Sequence, residues 1–213
     1  MLLPIDIKAS TITNLTDARY FAAWDVTWMG FNLDPSSESF IDPHTVHAIK
    51  EWVEGPQIVG ECHLQEPDQI QSLIDNLDLD ALQVGPLTPV ETLIELDTDK
   101  PVIKELIVDP QTTAEQLEST IEAHASHCAY FLINLEANGL ALDNMPLDRS
   151  FLEQLCRDHQ ILLSLARPLP ELDYLLRTLK PSGLSVRGGE EEKVGFKSFE
   201  ELDDLFEALE ERG

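Results

Sequence analysis

Eight times along the 213 residues, a short apolar run rich in β-forming residues gives way to a stretch whose apolar residues recur every three to four positions. The runs are Ile5–Ser10, Trp28–Leu33, Gln57–Leu64, Asp80–Gly85, Pro101–Val108, Ala129–Leu135, Gln160–Ala166 and Gly183–Arg187. Strands that alternate with helices pair in parallel, and helices then cover the sheet, so the strands themselves are almost wholly apolar. Eight units in 213 residues give about 27 residues per unit, near the lower size limit of a (β/α)8 barrel. A doubly wound open sheet is the runner-up and fits the same alternation with one or two units misread. No Gly/Ser-rich linker, composition shift or low-complexity segment interrupts the pattern. The expected fold is therefore α/β, a single (β/α)8 TIM barrel in one domain spanning 1–213.

Helix starts are predicted near Asn14, Pro43, Pro67, Pro89, Thr113, Leu147, Pro168 and Ser198. Asn14, with Asp17 three residues on, has the pattern of a capped N-terminus. The four prolines suit a first helical turn, where a missing N–H costs nothing. The C-terminal SFEELDDLFEALEERG reads as an amphipathic helix with Phe199, Leu202, Leu205, Phe206 and Leu209 on one stripe.

Composition narrows the partners. Fourteen Lys and Arg against 40 Asp and Glu give a formal charge of −26. A nucleic-acid binder needs a basic face to displace phosphate counterions, and an anionic membrane surface repels this chain; neither partner is expected. Two readings of the acidity stand side by side: adaptation to high salt, or ordinary solvated helix faces. No apolar run approaches the roughly 20 residues of a membrane-spanning helix. Asp6 breaks the apolar start where a signal peptide would continue. Cys62, Cys128 and Cys156 are odd in number and form no CxxC pair, so reduced thiols and a cytoplasmic location are expected.

The first unit, IKASTITNLTDARYFAAWDVTWMGFNLDPSS, resembles the opening of the phosphoribosylanthranilate isomerase family, small barrels of tryptophan biosynthesis. Lys8, Ile12, Thr13, Asn14, Asp17, Ala18, Gly30 and Phe31 keep the family's register. LDALQVG, KPVIKEL and VGFKSFEEL, the last through Gly195 and Lys197, resemble its later strands and final helix. The resemblance implies a (β/α)8 barrel with no cofactor. It also implies an aldose-to-ketose Amadori rearrangement in which a carboxylic acid protonates the furanose oxygen and a cysteine thiolate removes the adjacent carbon-bound proton. The base then falls at Ser10 and the acid at Asn134. A thiol ionises near ~8.5, whereas a serine hydroxyl needs a base beside it and an amide has no proton to surrender. Each lost acid or base is worth ~10²–10⁴ in rate.

Ligand-holding positions change in parallel. The family arginine after the second strand falls at Ser39, its strand-four histidine at Gly85, and its strand-seven glycine pair at Leu165 and Ala166. Gly188 and Gly189 retain amides at the end of the eighth strand. Arg167 and Arg187 form a side-chain site for a phosphate or carboxylate in this reading. The competing reading pairs each with a neighbouring acid. Lys8 has the parity to point into the barrel beside Ser10, with Asp6 as its expected partner.

His124-x-x-His127-Cys128, Cys62-His63 and His44-x-x-His47 lie apart and suggest no metal. Trp24, Trp28 and Trp52 read as core and helix-packing aromatics. Three functions remain: a diverged, catalytically impaired family member that holds a small anionic ligand; an isomerase using displaced groups such as Asp34 or Glu136; and an acidic interaction protein. The sequence sets no oligomeric state.

Overall fold

The computed structural model describes residues 3–188, 191–193, 196–197 and 199–213. Eight strands, β1 (Asp6–Ser10), β2 (Trp28–Asn32), β3 (Gln57–Cys62), β4 (Ala81–Val84), β5 (Val102–Ile107), β6 (Tyr130–Asn134), β7 (Ile161–Ser164) and β8 (Gly183–Arg187), pair in parallel in chain order. β8 returns to β1 through five registered pairs, from Asp6↔Gly183 to Ser10↔Arg187, which closes the ring. Each strand lies inside its predicted run.

Alternation along the strands sorts residues into two cores. Inward-facing Trp28, Val59, Ala81, Ile103, Leu132 and Leu162 pack together, with Tyr130 against them; they plug the barrel below its C-terminal end. Outward-facing Ile7, Ala9, Met29, Phe31, Leu82, Ile133, Leu163 and Leu184 pack under the helices. Each such large side chain removed from water contributes about 1.5–3 kcal/mol.

The helices are α1 (Leu15–Ala23), α2 (Pro43–Lys50), α3 (Pro67–Leu77), α4 (Val90–Glu95), α5 (Ala114–His124), α6 (Arg149–Asp158), α7 (Leu172–Tyr174) and α8 (Glu200–Glu210). Asn14 caps α1 by accepting from Asp17 N at 2.9 Å. Pro43 and Pro67 occupy first turns, and Thr113 builds a capping box with Gln116. Several expectations are corrected. Pro89 is the cap of α4, not its first turn. After Pro168 the chain makes a 3-10 turn before α7, then a π-helical turn at Leu175–Leu179. A two-stranded antiparallel hairpin, β9 (Glu191–Lys193) and β10 (Phe196–Lys197), was not expected. Gly195 and Ser198 lie outside the described residues.

The first and last helices seal the seam. Tyr20 stacks on Phe199 at 4.0 Å and Trp24 on Phe206 at 5.1 Å. The Tyr20 hydroxyl donates to Asp203 at 2.7 Å. Trp52, expected to pack, is instead 68% exposed, lying just past the C-terminal end of α2.

Lys104 on β5 faces outward yet is fully buried. Its ammonium donates to the carbonyls of Gly85 (2.7 Å), Pro86 (3.1 Å) and Thr88 (2.7 Å), pinning the loop after β4. Burial pulls its pKa down from 10.5 to about 8, so the ammonium still prevails at neutral pH. Lys104→Met should cost about 2–3 kcal/mol by stranding those buried acceptors, measured by urea unfolding.

Candidate functional site

Small (β/α)8 barrels carry their sites at the C-terminal ends of the strands. Here that end opens into a cavity of about 370 Å³, walled by side chains from β1 to β8 and the loops that follow them. Its lining is hydroxyl- and amide-rich: Ser10, Thr11, Ser36, Ser37, Ser39, Ser164 and Ser185 with Asn32, Gln83 and Asn134. Leu132 forms part of the floor.

Two charges are sealed beneath it. The Lys8 ammonium donates to Glu61 Oε1 at 2.5 Å and to Ser10 Oγ at 2.6 Å, and both members of the pair are buried. Glu61 also accepts from Thr11 N (3.3 Å) and Thr11 Oγ1 (3.1 Å). Thr11 adopts φ 58, a left-handed conformation disfavoured for a β-branched residue, and those two bonds help to hold it. Burial alone would raise the Glu61 carboxyl, but the Lys8 charge and hydrogen bond outweigh it and hold the group below the ordinary glutamate range. Gly30 makes the room: a Cβ there would lie 2.8 Å from Lys8 Nζ and on top of the Glu61 carboxylate. Asp6 is not the partner of Lys8. It is exposed at the far end of β1 and accepts from Thr27 Oγ1.

Ser10 Oγ, besides accepting from Lys8, shares a hydrogen bond with Ser185 Oγ at 2.7 Å. An ammonium and a hydroxyl are its polar neighbours, and neither is a base. Asn134 points into the cavity from the end of β6; its amide donates to Glu105 Oε1 at 2.6 Å, while its oxygen accepts from Ala137 N at 2.9 Å. Glu105 is buried on β5, takes a weak contact from Gln83 Nε2 at 3.4 Å, and lies 3.7 Å from His63 Nδ1.

The family model described as N-(5'phosphoribosyl)anthranilate (PRA) isomerase matches residues 7–208. The chain belongs to the phosphoribosylanthranilate isomerase family. The Thermus thermophilus isomerase structure is 25% identical with a TM-score of 0.78, covering 98% of this chain and 100% of that one. The Thermotoga maritima isomerase is 20% identical with a TM-score of 0.78, covering 97% and 99%. An isomerase solved in complex with reduced 1-(o-carboxyphenylamino)-1-deoxyribulose 5-phosphate is 18% identical with a TM-score of 0.73, again covering 97% and 99%. No curated protein sequence matches the chain.

Against this family background, the structure separates the residues singled out from sequence. Lys8 and Ser10 meet below the mouth, and Ser39 lines it, accepting from Asn32 Nδ2 at 3.2 Å and bonded to Ser37. Arg187 lines it too and, among the described residues, its side chain makes no hydrogen bond or ion pair. Arg167 does not join Arg187. It lies outside the cavity wall, exposed, paired with Asp143 at 3.3 Å. Leu165 is buried, and the Ala166 N–H is already bonded to Leu140 O at 3.1 Å. Gly188 follows β8 directly; Gly189 lies outside the described residues.

The displaced groups considered from sequence fare differently. Asp34 reaches the cavity; burial pushes its carboxyl up, but bonds from Ser36 and Leu64 N and the nearby His63 bring it below the usual aspartate range. Glu136 is outside the lining and accepts from Ser164 Oγ at 2.5 Å. Cys62 faces the helix layer, where burial, with Glu61 and Asp34 adding to it, pushes its thiol up to about 12.

Glu61, Gln83 and Glu105 were missed, and His63 was weighed only as a metal ligand beside Cys62. The available signal was parity: Glu61 and His63 follow Gln57 and Val59 at period two, and Glu105 follows Ile103, which puts all three on the barrel-facing side, whereas Lys104 takes the other. At Gly85 the backbone leaves no space for a side chain, because a Cβ would lie 2.9 Å from His63 Nδ1 and 3.0 Å from His63 Cα.

Removing either member of the buried pair strands the other. Lys8→Met or Glu61→Leu alone should each cost about 3–5 kcal/mol and the double variant markedly less, as read by denaturant unfolding of all four proteins. The depressed Glu61 pKa makes its contribution complete above the unfolded glutamate pKa of ~4.3 and lost as pH falls below it. Wild type should therefore lose stability relative to the double variant as pH drops from about 5 to 3.

Proposed function

We propose that this chain is a phosphoribosylanthranilate isomerase relative that has lost the family's pair of proton carriers and keeps a site for a small anionic, phosphorylated ligand at the β8 side of its mouth. The observation that carries the reading is the environment of Ser10. Its hydroxyl accepts from an ammonium and is bonded to a second serine, so nothing adjacent can turn it into an anion. Asn134, at the position the resemblance gives to the acid, spends its amide on Glu105 and its oxygen on Ala137 N. Neither group can exchange a proton with a sugar.

For the ligand, Arg187 is the lysine or arginine that lines the mouth among the described residues. A guanidinium there forms paired charge-assisted bonds to a phosphate, with Gly188 beside it. The strand-seven side contributes less, since the Ala166 N–H already serves Leu140. A family barrel holding a deoxyribulose 5-phosphate analogue supports a phosphorylated ligand for this one. The resemblance's carboxylate-holding position is Ser39, and Asp34 stands nearby in the same wall, which disfavours an aryl carboxylate there.

Purified protein should not convert phosphoribosylanthranilate above the uncatalysed rate, nor should it rescue a tryptophan auxotroph. Ser10→Cys with Asn134→Asp should introduce trace turnover. Efficient wild-type turnover that survives Ser10→Ala would overturn the reading. Arg187→Ala should weaken inorganic phosphate binding by about tenfold, whereas Arg167→Ala, whose side chain is held by Asp143, should leave it unchanged; titration calorimetry reads both.

A further inference from the structure

We infer that His63 and Glu105 form a second, relocated proton-transfer pair in the same cavity, acting on an open-chain hydroxycarbonyl compound with an anionic end. The inference rests on the anion-holding reading of Arg187 and adds a chemistry to it.

The pair has the division of labour that acid–base catalysis requires. Glu105 is buried and oriented, its Oε1 fixed by Asn134 Nδ2 at 2.6 Å. Its Oε2 faces His63 Nδ1 at 3.7 Å, an ion-pair separation that a bound ligand can tighten. The imidazole side chain is 26% exposed and lines the cavity. Its Nε2 has no hydrogen-bond partner among the described residues. A carboxylate behind one ring nitrogen favours positive charge on the ring by its proximity, while Nε2 faces the space where a ligand proton would be taken. The ring is also confined on one side, since it fills the space that a side chain at position 85 would need.

A separate observation points to what lies opposite. Gln83 is buried in the cavity wall and its Oε1 has no hydrogen-bond partner among the described residues. An unpartnered buried acceptor calls for a donor, and a ligand hydroxyl supplies one. Gln83 and Glu105 belong to β4 and β5, while Arg187 belongs to β8 on another side of the ring. A ligand that spans them carries hydroxyls at one end and its anion at the other, the layout of an aldose phosphate.

The reaction balances without a co-reactant. His63 Nε2 takes the proton from C2; the C–H electron pair becomes the C1–C2 double bond and the aldehyde electrons pass to O1. The proton on O2 then transfers to O1, the C2 carbonyl forms, and His63 returns its proton to C1. Glu105 stabilises the imidazolium that exists between the two transfers. It acts through His63 and is a positioning residue.

The test is exchange of the C2 proton of D-ribose 5-phosphate in D₂O, followed by proton NMR. Wild type should exchange it well above the buffer rate. His63→Ala should lose about 10²-fold or more and recover in part when imidazole is added, a rescue that a packing role would not produce. Glu105→Gln should lose about tenfold, with both variants shown by circular dichroism to be folded. Wild-type exchange at the buffer rate, or undiminished exchange in His63→Ala, overturns the proposal; undiminished exchange in Glu105→Gln overturns the pairing. Phosphate binding that persists without exchange leaves the Arg187 reading standing alone. Exchange that is equally fast with unphosphorylated ribose removes the anion end and leaves the pair.

Discussion

A charge inside a closed barrel has no water to return to, and the Lys8–Glu61 pair is how this barrel lives with that constraint. The pair joins β1 to β3 across β2, so β2 must withdraw its side chain between them, and Gly30 does so. It also draws the first turn of loop into place through both polar groups of Thr11. Below it lies the apolar plug around Trp28 and Leu132; above it the cavity lining is polar apart from Leu64. The pair thus marks the level at which the barrel changes from packed core to site.

Above that level the mouth divides into two networks. One is centred on an ammonium: Lys8 with Ser10, and Ser10 with Ser185. The other is centred on a carboxylate: Glu105 with Asn134, Gln83 and His63. The first holds its hydroxyls as acceptors and bystanders, which makes it suited to recognition. The second places a titratable ring at the surface of the cavity with a buried acid behind it, an arrangement suited to moving protons. The positions that the family resemblance singles out, Ser10 and Asn134, belong one to each network and both line the cavity.

Much of the architecture was legible because its causes are local. Asn14, Pro43, Pro67 and Thr113 set helix starts by chemistry confined to one turn, and every strand run contained its strand. What escaped depends on the closed ring. Parity placed Lys8 inside, but choosing Glu61 over Asp6 requires knowing that the side chain extends toward the mouth and that β3 lies two strands away. Trp52 shows the same limit from the outside: its spacing is that of a packed residue, yet it lies exposed just past the end of α2. Arg167 could not be parted from Arg187 in sequence, since Asp143 reaches it from a different loop.

His63 and Gly85 carry one further consequence. They directly follow the adjacent strands β3 and β4 and compete for a single volume, so a side chain at 85 and the present ring at 63 exclude each other. In this chain that spot can be filled from position 63 or from position 85, not from both, so a ring at 85 could be gained only after the one at 63 is surrendered. The intermediate sequence has neither. Such a bottleneck makes the present arrangement hard to leave by single steps, and it fixes the direction from which any group at that wall addresses a guest.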